Sequence, residues 1–306
     1  MRVTIGIPVY NCERWITATI QSALDQSWPD KEVVVVDDGS FDATPRLCRE
    51  FGSKIRFTAQ GRKGGNAARN RIIEAATGEF IQFLDADDAL PADKIEAQLE
   101  SGTRADVLCS PVRFETWSNG QPVQTDLQVL PDPLDWKAEW LRWNLPQTGG
   151  CLWRKSALVR IDGWNQRFHC NQEYELYFRA FKAGLRFRRV HAPAAIYRLW
   201  SENTVCRKDK AGVIESKTQL ISSFLDWLRT QGEETAAYRR LAGIACFEMA
   251  RSLAVQDLER ARRYFQARRS EGLITPEGPA APWKYRLLLQ LLGFSAAERL
   301  AKASRS

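Results

Sequence analysis

The stretch Phe80-Ile81-Gln82-Phe83-Leu84-Asp85-Ala86-Asp87-Asp88 joins an apolar run directly to three carboxylates. A run of this length reads as a strand buried in a sheet, and charge gathered at its end falls where open α/β sheets place their ligand crevices. The cluster has two readings. Hard carboxylate oxygens suit Mg²⁺ or Mn²⁺, and Mg²⁺ in particular is held by one or two carboxylates together with substrate phosphates. The same residues also make a polar turn that caps the next helix, with Pro91 suited to its first turn.

Upstream, strand and helix signals alternate. Val3 to Tyr10 is an apolar strand, and Asn11 is placed to cap a helix whose apolar face is Trp15, Ile16, Thr19, Ile20, Ala23 and Leu24. Val33 to Val36 reads as a central strand ending in Asp37-Asp38-Gly39-Ser40. A helix starting near Thr44-Pro45, a strand from Ile55 to Thr58 and a helix from Ala67 to Ala76 precede the quoted stretch. This alternation predicts an α/β fold with a mixed, mostly parallel sheet and covering helices.

Downstream, Asp106 to Glu115 reads as a further strand, and 116–148, rich in proline and tryptophan, as loops around a helix at Trp136 to Trp143. Trp153 to Ile161 suggests a strand-to-helix turn, Glu173 to Ala183 a helix, and Arg186 to Arg198 two extended pieces around Pro193. The last hundred residues are helical in pattern: Val213 to Leu228, Ala236 to Ala254, Leu258 to Arg269 and Trp283 to Ala303, the middle two spaced as a hairpin.

A chain of 306 residues with 44% apolar and 26% charged side chains is an ordinary globular protein of one large or two modest domains. No run reaches the roughly 18 apolar residues a spanning helix needs. The N-terminus enters a strand at once, so the chain reads as cytoplasmic. Seven cysteines, at 12, 48, 109, 151, 170, 206 and 246, include no Cys-x-x-Cys pair and read as buried reduced thiols. With only His169 and His191, a multi-histidine metal site or histidine triad is disfavoured, and acid–base chemistry falls to carboxylates. Residues 1–204 balance 26 basic against 26 acidic side chains, whereas 205–306 carry 18 against 11. The basic surplus suggests an anionic surface as partner or a solvated helical face; without a recognisable module, no nucleic acid is expected.

Four motifs follow successive predicted strands: Pro8-Val9-Tyr10-Asn11, Asp37-Asp38-Gly39-Ser40, Gly64 with Ala68-Arg69-Asn70, and Asp85-Ala86-Asp87-Asp88. In a parallel sheet all four fall on one edge, within reach of one ligand. Over residues 1 to about 200 this set resembles the family 2 inverting glycosyltransferases with the GT-A fold.

The resemblance implies roles. Pro8, Tyr10 and Asp38 would take the nucleobase, uracil or a similar base, with Arg69 holding the nucleotide. Asp85 would lie near the ribose, and Asp87, assisted by Asp88, would hold the Mg²⁺ or Mn²⁺ that bridges the donor diphosphate. Gln172-Glu173-Tyr174-Glu175-Leu176 matches the family's Glu-Asp-x-Asp-Leu, so Glu173 stands where the family has its aspartate base; the alternative for Glu173 is a surface acid paired with Arg179 or Lys182. Gly149 and Gly150 resemble the acceptor-side loop, and the resemblance sets Trp200 on the acceptor side with them. Two departures stand out: Arg62 where an asparagine is usual, and Trp200 in Tyr197-Arg198-Leu199-Trp200 where some members carry a histidine near the metal. Trp200 cannot ligate a metal.

The implied activity is transfer of a sugar, of hexosyl or N-acetylhexosaminyl class, from a nucleotide-sugar donor, a UDP-sugar first among them, to a glycan or lipid-linked acceptor in cell-surface polysaccharide biosynthesis. The rivals are a metal-dependent nucleotidyltransferase or phosphohydrolase, and an impaired homologue that binds nucleotide or glycan without turnover. The expected organisation is a catalytic domain over 1–204, nucleotide-binding to about 115 and acceptor-side beyond, then a helical region over 205–306. There Lys284, Arg286, Arg299, Lys302 and Arg305 flank the run Leu287 to Leu292. That run suits either the inner face of a membrane or packing on the catalytic domain or a second subunit, with packing preferred.

Overall fold

The computed structural model describes residues 1–200 and 209–303. They form two compact units, one from Met1–Leu134 with residues 144–200, the other from Asp135–Trp143 with residues 209–303. The expected boundary at 204/205 lies outside the described residues, as does Cys206. The six other cysteines are buried.

In the first unit β1 (Val3–Val9), α1 (Ile16–Leu24), β2 (Lys31–Asp37), α2 (Thr44–Arg49), β3 (Arg56–Ala59), α3 (Gly65–Ala75), β4 (Phe80–Phe83) and α4 (Lys94–Glu100) alternate as the sequence predicts. They continue through β5 (Val107–Cys109), β8 (Cys151–Arg154), α6 (Lys155–Arg160), α7 (Gln172–Lys182) and β9 (Phe187–Arg189). The sheet runs β3-β2-β1-β4-β8-β5-β9, parallel except for β8, which is antiparallel to both neighbours. All seven β1 residues are buried, as a central strand covered on both faces requires. The chain steps outward from β1 to β3 and then returns to β4 on the other side of β1, which opens a crevice at the strand ends.

Three local expectations are corrected. Asp106 to Glu115 is two strands in different sheets: the chain breaks at Ser110-Pro111 and resumes as β6 (Val112–Ser118). Residues 116–127, expected as loop, continue β6 into β7 (Gln121–Leu127), and these join β10 (Ala195–Leu199) in a three-stranded sheet. The hairpin turns on Asn119-Gly120, both at positive φ (50° and 81°), the backbone of a two-residue turn that suits the twist of paired strands. Every β7 residue is exposed, so no alternation of apolar and polar side chains marks it. Asn11 does not cap α1; its side-chain oxygen accepts from the Phe41 amide at 3.0 Å and ties the end of β1 to the turn after β2.

The second unit contains helices Lys210–Thr230, Ala236–Gln256, Leu258–Ser270 and Trp283–Ala303, the last broken at Gly293 (φ 75°). The middle two form the expected hairpin, its second helix capped by Asp257, which accepts from the Arg260 amide at 2.9 Å. The short helix α5 (Trp136–Leu141) belongs here too, with the Trp140 ring stacked on Phe224 at 4.1 Å. Trp283, Leu287 and Leu291 are exposed (65%, 48% and 70%), so the apolar run at 287–292 is only partly covered. No helix among the described residues is long and apolar enough to cross a membrane.

Candidate active site

The ends of β1 and β2 are laced together. Ser40 Oγ donates to Asp37 Oδ1 at 2.5 Å and accepts from the Asn11 amide at 2.9 Å. Gly39 has φ 80°, and a Cβ there would lie 3.0 Å from the Arg62 amide nitrogen, so only glycine lets the loop after β3 close onto this turn. Asp38 holds that loop. Its buried carboxylate accepts from Gln60 Nε2 (2.9 Å), Arg62 Nη1 (2.6 Å) and the amides of Lys63 (2.8 Å) and Gly64 (2.7 Å). Burial pushes this carboxyl up, but the four hydrogen bonds more than offset it and hold it below its ordinary value.

Arg62 also lies 3.5 Å over the ring of Tyr10, a half-open aromatic. Tyr10, Arg62 and Asp38 thus form one stack at the strand edge, with Pro8 buried beneath it and paired with Val36. The residues expected to take a base are brought together, and Arg62 stands between them.

Arg69, on α3, is buried. It donates to Asp85 Oδ1 at 2.6 Å, to Asn66 Oδ1 at 3.2 Å and to Gln172 Oε1 at 3.3 Å, and lies 4.7 Å over the Trp164 ring. Burial opposes its charge, yet Asp85 and Glu173 more than compensate, and the guanidinium is held above its ordinary value. Asn66 and Asn70 on the same helix clamp the 164–168 loop through its backbone carbonyls. The sequence places Gln172 in the motif around Glu173 and Gly163-Trp164 in the segment that resembles the family's acceptor-side loop, but it assigns neither residue to Arg69.

The acids of the quoted stretch have distinct surroundings. Asp85 is the partner of Arg69. Asp87 accepts from the Trp200 indole N–H at 2.8 Å, and Asp88 from the Arg198 amide at 2.9 Å. Burial raises both Asp87 and Asp88 above the usual carboxylate range; the negative charge of their neighbours adds to this, Trp200 opposes it at Asp87, and Arg198 opposes it at both. The Tyr197 phenol is pushed up by burial and by the charges of Asp88, Asp85, Glu173 and Asp87, so Glu173 and the acid cluster share this tyrosine as a neighbour.

Glu173, in the first turn of α7, accepts from the Thr148 hydroxyl at 2.8 Å. Arg179 does not pair with it: Arg179 donates through Nε and Nη2 to both oxygens of Glu175, each at 2.8 Å. Gly149 and Gly150 lie buried beside Thr148. A Cβ on Gly150 would lie 2.6 Å from Pro146 Cβ and 2.9 Å from the Ser110 carbonyl oxygen, so the close approach that this glycine permits is to its own chain.

Among the described residues no three His, Cys, Asp or Glu side chains are arranged to surround a metal. The donor set nonetheless fits a hard divalent cation held by one carboxylate with phosphate and water oxygens. Asp87 is the residue that would hold it, with Trp200 fixing one carboxylate oxygen.

A mostly parallel sheet whose switch-point edge gathers an aromatic–carboxylate stack, a buried arginine and an acid cluster has the architecture of the GT-A nucleotide-sugar transferases. The chain belongs to glycosyl transferase family 2, whose family model matches residues 4–161, just over half its length. It is 32% identical to the amylovoran biosynthesis glycosyltransferase AmsB of Erwinia amylovora over 213 residues, 64% of this chain and 69% of that protein. It is 28% identical to chondroitin synthase of Escherichia coli over 213 residues, 67% of this chain but only 30% of that protein. Residues 1–349 of S. aureus TarS in complex with UDP-GlcNAc share the fold at a TM-score of 0.66 and 18% identity, with 100% of this chain and 92% of that one covered.

Proposed function

We propose that this protein transfers a sugar from a nucleotide-sugar, a UDP-sugar first among them, to a hydroxyl of a glycan or glycolipid acceptor, with inversion, in the synthesis of a cell-surface polysaccharide. The observation that carries the reading is the position of Glu173: a carboxylate held by Thr148, near Arg69 and sharing Tyr197 as a neighbour with the acid cluster. The UDP-GlcNAc bound to TarS and the name of AmsB support the donor and the product class.

Tyr10, Arg62 and Asp38 receive the base, and Arg69 with Asp85 orients the ribose. A divalent cation, Mg²⁺ or Mn²⁺, supplies charge stabilisation for the departing diphosphate when bound at Asp87, with Asp88 setting the end of β4 through Arg198. Glu173 takes the proton of the acceptor hydroxyl as its oxygen attacks the anomeric carbon, and the bond to the diphosphate breaks on the opposite face. One base and one displacement give inversion.

The test is a thermal-shift panel of nucleotide sugars with and without Mn²⁺, on wild type and Asp87→Asn. A UDP-sugar is expected to raise the wild-type midpoint with Mn²⁺ and to lose most of that gain in Asp87→Asn; no stabilisation by any nucleotide sugar would overturn the reading. Free UDP appearing only with acceptor present separates sugar transfer from nucleotidyl transfer.

The protein acts in the cytoplasm at the inner membrane face, where lipid-linked acceptors reside. Exposed Trp283, Leu287 and Leu291, four residues apart on one helix and flanked by Lys284 and Arg286, suit an interfacial helix on anionic lipid. Wild type is expected to float with anionic liposomes and Leu287→Ser/Leu291→Ser to stay behind; equal flotation would contradict this attachment.

A further inference from the structure

Beside the acid cluster lies a cavity of about 570 Å³ walled by Arg14, Trp117, Ser118, Asn119, Gly120 and Trp200. It is one side chain away from Asp87, because the indole whose N–H meets that carboxylate also forms part of the wall. Among the described residues, none that lines it besides Trp200 belongs to the base stack, the Arg69 cluster or the Thr148–Glu173 pair.

The wall is built to hold its rings still. Trp200 is pinned to Asp87, and Trp117 donates its indole N–H to Glu115 at 3.1 Å. Behind them buried Trp15 meets Trp117 edge-on at 4.9 Å and Trp200 at 6.0 Å, and the Arg198 guanidinium lies 4.7 Å from the Trp15 ring and 5.7 Å from that of Trp117. These contacts hold the indoles in the wall, with the Arg198 guanidinium over the Trp117 ring and the Arg14 guanidinium over the Trp200 ring, and an aromatic face is electron-rich. The C–H face of a pyranose is its natural complement. The Asn119-Gly120 turn and the Ser118 hydroxyl place polar groups at the rim for sugar hydroxyls, and the volume falls in the range of small-ligand sites.

Arg14 adds charge selection. Its guanidinium lies 5.1 Å from the Trp15 ring and 5.4 Å from the Trp200 ring, and no carboxylate among the described residues forms an ion pair with it. A guanidinium with no carboxylate partner among the described residues, at the wall of an aromatic cavity, favours an anion.

We propose that this cavity is an acceptor subsite for a pyranose unit of a glycan bearing a negative charge, either a hexuronate carboxylate or a phosphodiester. The inference rests on the transferase reading and adds the charge class of its acceptor. Trp117 and Trp200 stack on the ring, Arg14 pairs with the anion, and the chain end is delivered toward the acid cluster from the side of Trp200.

The test titrates the full chain with three probes, an unsulfated hexuronate–hexosamine hexasaccharide, a hexamer of neutral hexopyranose units joined by phosphodiesters, and cellohexaose, and separately with UDP and Mn²⁺. One anionic probe is expected to bind more tightly than cellohexaose, and Arg14→Ala and Trp117→Ala are each expected to weaken it by about tenfold or more while leaving UDP affinity unchanged. Whichever anionic probe binds identifies the carboxylate or the phosphodiester. Arg14 is exposed, so its variant keeps the fold, and Trp117→Phe keeps a ring should the alanine variant fail to fold. Cellohexaose binding as tightly as the anions, indifference to Arg14→Ala, or a parallel loss of UDP affinity would each overturn the subsite. If UDP binds and no saccharide does, the subsite fails while the transferase reading stands; if a saccharide binds this cavity and no nucleotide or nucleotide sugar binds at all, the transferase reading fails.

Discussion

Glu173→Gln is expected to lower kcat by about 10²- to 10⁴-fold, the range for loss of a general base, with little change in UDP affinity. The substitution keeps the size of the side chain and keeps an oxygen to accept the Thr148 hydroxyl, so the start of α7 is undisturbed. What it removes is the ability to take a proton from the acceptor. Glu173→Asp retains the carboxylate but draws it back by one methylene, and is expected to fall between wild type and the glutamine variant. Thr148→Ala frees the carboxylate to turn, with a smaller loss than either. Acceptor-dependent UDP release measures all three, and UDP titration separates binding from turnover. A glutamine variant within tenfold of wild type, still binding UDP, would remove Glu173 from the chemistry.

How much of this was legible depends on whether the information is local. The strands β1, β2 and β4 are continuous apolar runs closed by Asp, Gly or Ser turns, and their order along the chain is enough to put the turns on one edge. Helical spacing already distinguishes Glu173 from Glu175: Arg179 is four residues beyond Glu175 and so on its face, but six beyond Glu173. The β6–β7 hairpin had a signal in Asn119-Gly120, overridden by the prolines around it. Other features had none. Thr148 reaches Glu173, and Trp200 reaches Asp87, across sequence separations that no period encodes. The residue that could not replace a metal-binding histidine turned out to hold the acid instead. Arg62, likewise a departure from the family pattern, is the ion-pair partner of Asp38.

That pairing gives Asp38→Ala the second large expected effect, on the loop rather than on the chemistry. The carboxylate is the common acceptor for four donors between Gln60 and Gly64, and Gly64, at φ 97°, is where α3 begins. Removing it leaves the amides of Lys63 and Gly64 without their acceptor and Arg62 without its counter-ion. At roughly 1–3 kcal/mol for each unsatisfied group, partly relieved by water at this half-open loop, local opening should become easier by about 2–4 kcal/mol. Arg62 and Lys63 are themselves tryptic sites, so cleavage there should accelerate by about one to three orders of magnitude while cleavage in the helical unit stays unchanged. UDP affinity should fall with it, because Arg62 leaves the Tyr10 face once its anchor is gone. Asp38→Asn, with one acceptor oxygen and an amide facing donors, should lie close to the alanine variant. The pH dependence has a definite sign. The folded carboxyl is held below its unfolded value of 3.8, so its stabilisation is complete above that value and is lost as the pH falls below it. Hydrogen exchange of the 60–68 amides, corrected for intrinsic rates, should show wild-type protection draining away in that acid range and Asp38→Ala unprotected throughout. Protection in the variant equal to wild type at neutral pH would mean that the loop is held by its backbone alone.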